Sequence, residues 1–140
     1  MQYRNPYIEI CIEGPFSVFR GISTADKELL DQHHSVADFR KGRVIVKAET
    51  KPRGVVCLAS GKAKTSRIGA GNREQIVRLQ KPQNFLCYRS LFSDTHFPFN
   101  VTALENSTVV IFERVTLSKI IRQNAELAVR FMKMISEELD

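Results

Sequence analysis

Chemically versatile side chains concentrate in one stretch of the sequence, residues 85–99. Four successive positions offer a thiol, a phenol, a guanidinium and a hydroxyl, and three phenylalanines follow. A guanidinium beside hydroxyl donors can bind a carboxylate or a phosphate, and aromatic rings form the walls of many small-molecule pockets. The stretch therefore predicts recognition of a small ligand that is acidic or aromatic. The candidate ligand residues are Cys87, Tyr88, Arg89, Ser90, Phe97 and Phe99.

Two of these residues have a plainer interpretation that the sequence leaves open. Arg89 can point to solvent or pair with Asp94 instead of meeting a ligand. Cys87 stands close to the same cation, which would lower the pKa of its thiol and activate it. Cysteine is among the most buried residue types, however, and a buried thiol is inert, so we expect an inert Cys87.

Elsewhere the sequence lacks the arrangements that catalysis or metal binding requires. His33 and His34 are adjacent, so their side chains point apart, and His96 stands alone, with nothing else to support a haem. An iron–sulfur cluster needs several cysteines, whereas the N-terminal segment has only Cys11. No nucleophile–base pair, carboxylate pair or glycine-rich nucleotide loop is visible. We expect no enzymatic activity, no metal and no cofactor.

The composition is that of a soluble protein with one domain. The chain has 140 residues, 43% hydrophobic and 26% charged, which is sufficient for a normal core. No apolar run approaches the length of a membrane helix, and Glu9 and Glu13 interrupt the N-terminus where a signal peptide would be apolar. The three cysteines are widely spaced, as is typical of reduced thiols. We expect a cytoplasmic protein without a membrane partner.

The net charge of +6 is concentrated between residues 40 and 89, where Glu49 and Glu74 are the only acids. A basic block can bind nucleic acid or an anionic ligand. These cations alternate with apolar residues, as is typical of the outward positions of strands. We therefore favour a solvated strand face over a nucleic-acid surface.

Short strands separated by glycine turns precede the candidate ligand stretch, which itself reads as an insert without strand structure. Ser23 begins a helix of about two turns, because its hydroxyl can accept a first-turn N–H. Gly61 is predicted to form a tight turn, where a positive φ favours glycine. Such a series predicts a mainly β barrel or sandwich with flanking helices. Strands are predicted at residues 54–60, 62–67, 73–79, 100–104 and 108–112.

The predicted organisation has three parts. Residues 1–22 form an N-terminal lead-in, residues 23–113 the β-barrel with the ligand stretch, and residues 114–140 the C-terminal helices. Asn124 is a good N-cap for the last helix, which we expect to be truncated at the end of the sequence.

The last helix has an apolar surface wider than one contact requires. We expect one side to pack on the barrel and the other to form a homodimer. The alternative is that the whole helix lies deep against its own barrel. The candidate dimer residues are Leu127, Phe131, Ile135 and Leu139.

The order and spacing of these segments resemble the sensor domain of the bacterial catabolite activator/Fnr family of transcription regulators. The resemblance implies a cyclic-nucleotide-binding fold, that is, a double-stranded β-helix (jelly-roll) barrel in which residues 85–99 are a phosphate-binding cassette. It also implies that DNA is read by a winged helix outside this chain. The matching segments are FRKGRVI (39–45), LASGKAK (58–64), REQIVRL (73–79), FLCYRSLF (85–92), TALE (102–105) and NAELA (124–128).

The cassette departs from the pattern of the cyclic-nucleotide binders in this family. Those proteins carry Gly-Glu where Cys87 and Tyr88 stand here, and the glutamate holds the ribose hydroxyl. They carry Arg, then Ser or Thr, then Ala at positions 97–99, and the arginine pairs with the cyclic phosphate. The resemblance therefore implies a sensor whose effector is not bound as cyclic AMP usually is.

Two functions of different classes remain at this point. The chain can be the effector-sensing domain of a Crp/Fnr-type regulator, responding to a small effector for which an anion is a candidate. It can also be a stand-alone interaction or dimerisation module on the same barrel, without any small-molecule effector.

Overall fold

The computed structural model describes residues 1–52, 54–93 and 96–138, apart from the side chain of Ser90. Two short 3-10 helices, Ala70–Asn72 and Arg89–Leu91, interrupt the strand series. The helices are α1 Pro6–Glu13, α2 Thr24–Gln32, α3 Arg114–Gln123 and α4 Ala125–Glu138, and the strands are β1 His34–Phe39, β2 Val44–Val46, β3 Gly54–Ser60, β4 Ala63–Ile68, β5 Glu74–Gln80, β6 Phe85–Cys87, β7 Asn100–Ala103 and β8 Ser107–Glu113.

Side-chain caps fix where the helices begin. The Asn5 carboxamide accepts from the Ile8 N–H at 2.9 Å at the start of α1. The predicted cap of Ser23 is confirmed, since its hydroxyl accepts from the Asp26 N–H at 3.1 Å. Asn124 caps α4 in the same way. Each cap satisfies an N–H that the first helical turn leaves without a partner.

Two four-stranded antiparallel sheets form the barrel, in the orders β1-β8-β3-β6 and β2-β7-β4-β5. The predicted strands appear as β3, β4, β5, β7 and β8, with ends shifted by a residue at most. The predicted turn at Gly61 is also present, with a φ of +96°, where a Cβ would collide with Ser107. The mainly β jelly-roll fold with flanking helices is thereby confirmed.

The start of the candidate ligand stretch is itself a strand, which corrects the expectation of an insert without strand structure. Residues Phe85–Cys87 form β6, which pairs antiparallel with β3. The physical reason is that β3 is buried in all but its last residue, so its second edge needs hydrogen-bond partners. The three residues of β6 are buried and supply them.

The alternation of β3 separates two apolar clusters. Val55, Cys57 and Ala59 face a cluster shared with the helices. Val56 and Leu58 face the barrel interior. Because the helix-side cluster includes residues of α1, α3 and α4, these helices are anchored to the same sheet that carries β6.

The last helix packs on its own barrel, as in the alternative that the sequence left open, and this covers the expected dimer residues Leu127 and Phe131. Leu127 is 1% exposed and Phe131 is 0% exposed, so neither can reach a partner from this position. Ile135 is partly buried against the same cluster, and Leu139 lies outside the described residues. The apolar side chains that α4 leaves exposed are Val129 and Met132.

Arg130 ties the middle of α4 to the N-terminal segment. Its guanidinium donates to the backbone carbonyls of Val18 at 2.9 Å and of Arg20 at 2.5 Å. The second amino group pairs with Glu126, one turn earlier, at 2.7 Å. This contact fixes the position of the helix along the barrel.

Candidate ligand-binding site

The side chains of the cassette are distributed between two environments. Phe85 and Tyr88 face the helix-side cluster, whereas Leu86 and Cys87 face the barrel interior. A register shift in the β3–β6 pairing accompanies this change of direction. The cassette therefore contacts both the helices and the barrel, at the place where α4 passes over it.

Cys87 is a buried thiol. It is 2% exposed, and its Sγ lies 3.9 Å from the Gly54 carbonyl oxygen of β3. Burial raises the pKa of the Cys87 thiol to about 11, although a backbone hydrogen bond from Val56 opposes the shift. The thiol is therefore neutral near pH 7 and is a poor nucleophile.

Tyr88 packs under α4. It is 3% exposed, and its ring lies 6.0 Å from the ring of Phe131, measured between centroids. Burial raises the pKa of the Tyr88 phenol well above its usual value, and the negative charge of Glu138 raises it further, while Arg89 and Arg78 lower it. The phenol is therefore a neutral hydrogen-bond donor at any physiological pH.

Two arginines meet one carboxylate beside Tyr88. Arg89 Nε lies 3.1 Å from Glu138 Oε2, and Arg78 Nη1 lies 3.5 Å from Glu138 Oε1. The expected alternative partner of Arg89, Asp94, lies outside the described residues. All three side chains are partly exposed, so solvent screens the pairs and each contributes about 1 kcal/mol or less.

A cavity of about 210 Å³ adjoins this ion-pair cluster, between the cassette, β4, β5 and the end of α4. Phe97 and Phe99 form an edge-to-face pair on one side, with ring centroids 5.7 Å apart. On another side Gln80 donates to the Thr65 hydroxyl at 2.9 Å. The cavity combines aromatic walls, a buried polar pair and two guanidinium groups. Its lining residues are Thr65, Val77, Arg78, Gln80, Leu86, Arg89, Phe97, Phe99, Glu137 and Glu138.

A larger groove of about 640 Å³ lies on the other side of the ion-pair cluster. It runs between the N-terminal segment, the β5–β6 connection and α4, and Tyr88 lines it. Arg78, Gln80 and both glutamates line the groove as well as the cavity. The cluster around Glu138 is therefore the partition between them.

The structure brings together part of the predicted site. Arg89, Phe97 and Phe99 line the cavity, Tyr88 lines the groove, and Cys87 lines neither. The side chain of Ser90 is outside the described part of the structure.

Sequence reasoning missed Arg78 and Glu138, which complete the charged part of the site. The strand position of Arg78 is readable from the sequence. Nothing in the spacing, however, indicates that the end of α4 reaches it.

The sequence of residues 36–124 matches the cyclic nucleotide-binding domain family. The chain belongs to this family. It is a family of binding domains and not a class of enzymes. The comparison with curated proteins gave no match.

Solved structures agree with this assignment at the level of the fold. The sensor domain of the transcriptional regulator DNR from Pseudomonas aeruginosa superposes with a TM-score of 0.77 at 19% identity, over 87% of this chain and 82% of that one. The Thermus thermophilus catabolite activator protein gives 0.75 at 19% identity, over 87% of this chain and 57% of that protein. A transcriptional regulator from Thermotoga maritima gives 0.68 at 28% identity, over 81% and 88%.

This cyclic nucleotide-binding domain is therefore similar in fold to the sensor domains of Crp/Fnr-type regulators. Among its described helices, none is long and apolar enough to cross a membrane. Nor do the described residues include a cluster of His, Cys, Asp or Glu side chains that could hold a metal ion.

Proposed function

We propose that this domain is the effector-sensing part of a Crp/Fnr-type transcription regulator and that its effector binds in the cavity lined by Arg78 and Arg89. The observation that carries the proposal is the meeting of two guanidinium groups with the Phe97–Phe99 wall in a cavity of about 210 Å³. Small-molecule sites typically combine apolar walls with a few convergent polar groups in this way. The proposed role is binding and signalling, without catalysis.

The cavity favours an effector other than a cyclic nucleotide bound in the family's usual way. Tyr88 stands where the ribose-binding glutamate would be, and its neutral phenol cannot offer a carboxylate's charge to a ribose hydroxyl. Phe97 stands where the phosphate-binding arginine would be and has no group that pairs with an anion. Arg78 and Arg89 supply positive charge from other directions, and this supports a small aromatic anion as the effector.

The position of α4 supports a route from ligand to response. Glu137 and Glu138, at the end of the helix as described, line the cavity, so a bound ligand would touch α4 directly. We propose that the exposed side chains Val129 and Met132 join two copies of the domain. DNA would be contacted only by a domain outside this chain, and no membrane partner is proposed for this domain, which we place in the cytoplasm.

A second candidate function is a stand-alone interaction module without an effector. The observation that favours it is the exposure of apolar side chains along the edge strand β5. Ile76 is 59% exposed, Val77 54% and Leu79 60%. Exposed apolar patches of this kind often mark protein–protein contacts.

Calorimetry with phenyl phosphate, benzoate and cyclic AMP distinguishes these functions. An effector-sensing domain should bind at least one of the two aromatic anions, and Arg89→Ala should weaken that binding about tenfold. Arg67→Ala is the matched control, because Arg67 is an exposed arginine of β4 whose Nε contacts Gln75 away from the cavity. Absence of binding to every compound would favour the interaction module.

A further inference from the structure

Glu138 places one carboxylate oxygen toward each of the two arginines of the cavity. Oε2 lies 3.1 Å from Arg89 Nε, and Oε1 lies 3.5 Å from Arg78 Nη1. A carboxylate that divides its oxygens between two guanidinium groups has the geometry of a bound anion. Here the anion belongs to the protein's own last helix.

The location of this carboxylate is as informative as its partners. Glu138 is one of the side chains shared by the cavity and the neighbouring groove, and its side chain is 22% exposed. The buried Tyr88 phenol lies beside it and stays neutral, so it does not repel a negative group. An anion entering the cavity would therefore meet the same two cations that Glu138 now neutralises.

We infer that Glu138 holds the place of the effector's anionic group and thereby sets the chemical class of the effector, an inference that rests on the proposed function. The class is an aromatic carboxylate or an aromatic phosphate ester. Its charged group replaces Glu138 between Arg78 and Arg89, while its ring lies against Phe97 and Phe99.

Charge balance explains why the effector is expected to be an anion and not a neutral compound. A neutral aromatic compound that displaced Glu138 would leave two guanidinium groups without a counter-charge, whereas an anion restores it. The released Glu138 carboxylate is already partly exposed, so its transfer to water costs little. Glu138 thus disfavours neutral ligands relative to anionic ones by the modest amount that partly exposed ion pairs contribute, which makes it a specificity-determining residue.

The test compares Glu138→Gln with Glu28→Gln, using phenyl phosphate as the probe in calorimetry with the full chain. Glu28 is the matched control, since it is an exposed glutamate of α2 that lines neither the cavity nor the groove and belongs to neither of the two ion pairs. The expected result is that Glu138→Gln binds phenyl phosphate about fivefold more tightly than the wild type, because a competing carboxylate is gone. Glu28→Gln should match the wild type within about twofold.

Benzyl alcohol is the neutral probe of similar size and should bind more weakly than phenyl phosphate to every variant. Thermal unfolding verifies that the variants are folded, and Glu138→Ala serves as a second variant that also lacks the carboxylate. Equal affinity of the wild type, Glu138→Gln and Glu138→Ala for phenyl phosphate would overturn the inference while leaving the proposed function intact.

Two further results for phenyl phosphate binding distinguish this inference from the proposed function. If phenyl phosphate binds only when Glu138 is replaced, the inference stands, but the proposed sensing of such anions by the natural chain fails. If neither the wild type nor the variants bind it, the inference fails, and the proposed function fails with it only when benzoate is not bound either.

Discussion

Gln80 donates from Nε2 to the hydroxyl of Thr65 across 2.9 Å, and this bond joins β5 to β4 beside the candidate cavity. Both residues are nearly buried, at 5% and 6% exposure. The other end of the Gln80 carboxamide accepts from Asn84 at 3.0 Å, so its orientation is fixed by two neighbours. The cavity therefore has a rigid polar side formed before any ligand arrives.

Replacing Thr65 by valine should destabilise the domain through this bond. The substitution keeps the shape but leaves the Gln80 amide without its acceptor, which typically costs about 1–3 kcal/mol. The free energy of unfolding in urea measures the loss. Thr102→Val is the control, since Thr102 lies on the neighbouring strand β7 and is only partly buried. If Thr65→Val and Thr102→Val lower the free energy of unfolding by similar amounts, the Thr65–Gln80 hydrogen bond does not stabilise the domain measurably.

Phe131→Ala should lower the free energy of unfolding by about 3–5 kcal/mol, the usual result of deleting a large side chain from a core. Phe131 is fully buried among Phe19, Phe85 and Tyr88. Val129→Ala, on the exposed side of the same helix, should change stability by less than about 0.5 kcal/mol. If Phe131→Ala changes the free energy of unfolding as little as Val129→Ala does, α4 does not pack on the barrel through Phe131.

Self-association should depend on Met132 and not on α3. Met132 is 57% exposed on α4, so a glutamate there would introduce repulsion between two copies without disturbing the core. Sedimentation velocity should show a larger monomer fraction for Met132→Glu than for the wild type. The control, Val115→Glu, alters a residue of α3 that is even more exposed, at 74%. Equal association of Met132→Glu and the wild type would place the interface elsewhere.

Stability should fall at alkaline pH partly because of Cys87. The folded pKa is about 11, above the ordinary value of 9.0, so the unfolded chain loses its proton first. Stability from this residue is therefore complete below about pH 9 and declines as the pH rises toward 11. Urea unfolding at pH 8 and pH 10 should show a smaller difference for Cys87→Ala than for the wild type. An identical pH dependence would mean that the thiol ionises as freely in the folded state as in the unfolded one.

DNA binding by this chain should be weak and insensitive to sequence. The described helices have their apolar faces in the core, and the cations of β4 and β5 provide only general attraction to phosphates. Such binding falls steeply as salt increases. Fluorescence anisotropy with two unrelated duplexes should give equal affinities at low salt and no binding at physiological salt. Nanomolar preference for one duplex at physiological salt would contradict this expectation.

Local signals in the sequence were sufficient for the outline of the fold. The caps at Ser23 and Asn124 and the turn at Gly61 depend only on nearby backbone, so residue type and position reveal them. The alternation of apolar residues predicted the strands for the same reason, since it too is a local property of the sequence. The strand at Phe85–Cys87 was missed because only its pairing with β3 makes it a strand.

The charged part of the site could not be predicted in this way. Arg78 and Glu138 are separated by 60 positions in the chain, and their contact depends on how α4 lies over the barrel. The same dependence explains why Phe131, expected at a dimer contact, lies in the core of its own chain. An apolar stripe on a helix indicates that this face is buried. It does not indicate whether the face packs on the same chain or on a second copy.

The hydrogen bonds from Arg130 to the carbonyls of Val18 and Arg20 give α4 a fixed point of attachment. Arg130 is joined to the N-terminal segment, and Glu138 lies eight positions beyond it, about 12 Å along the helix axis. We expect a displacement of Glu138 by a ligand to tilt this end of the helix about Arg130. A small displacement at the cavity would then become a change in the direction of the helix axis, and the resulting movement would grow with distance from Arg130.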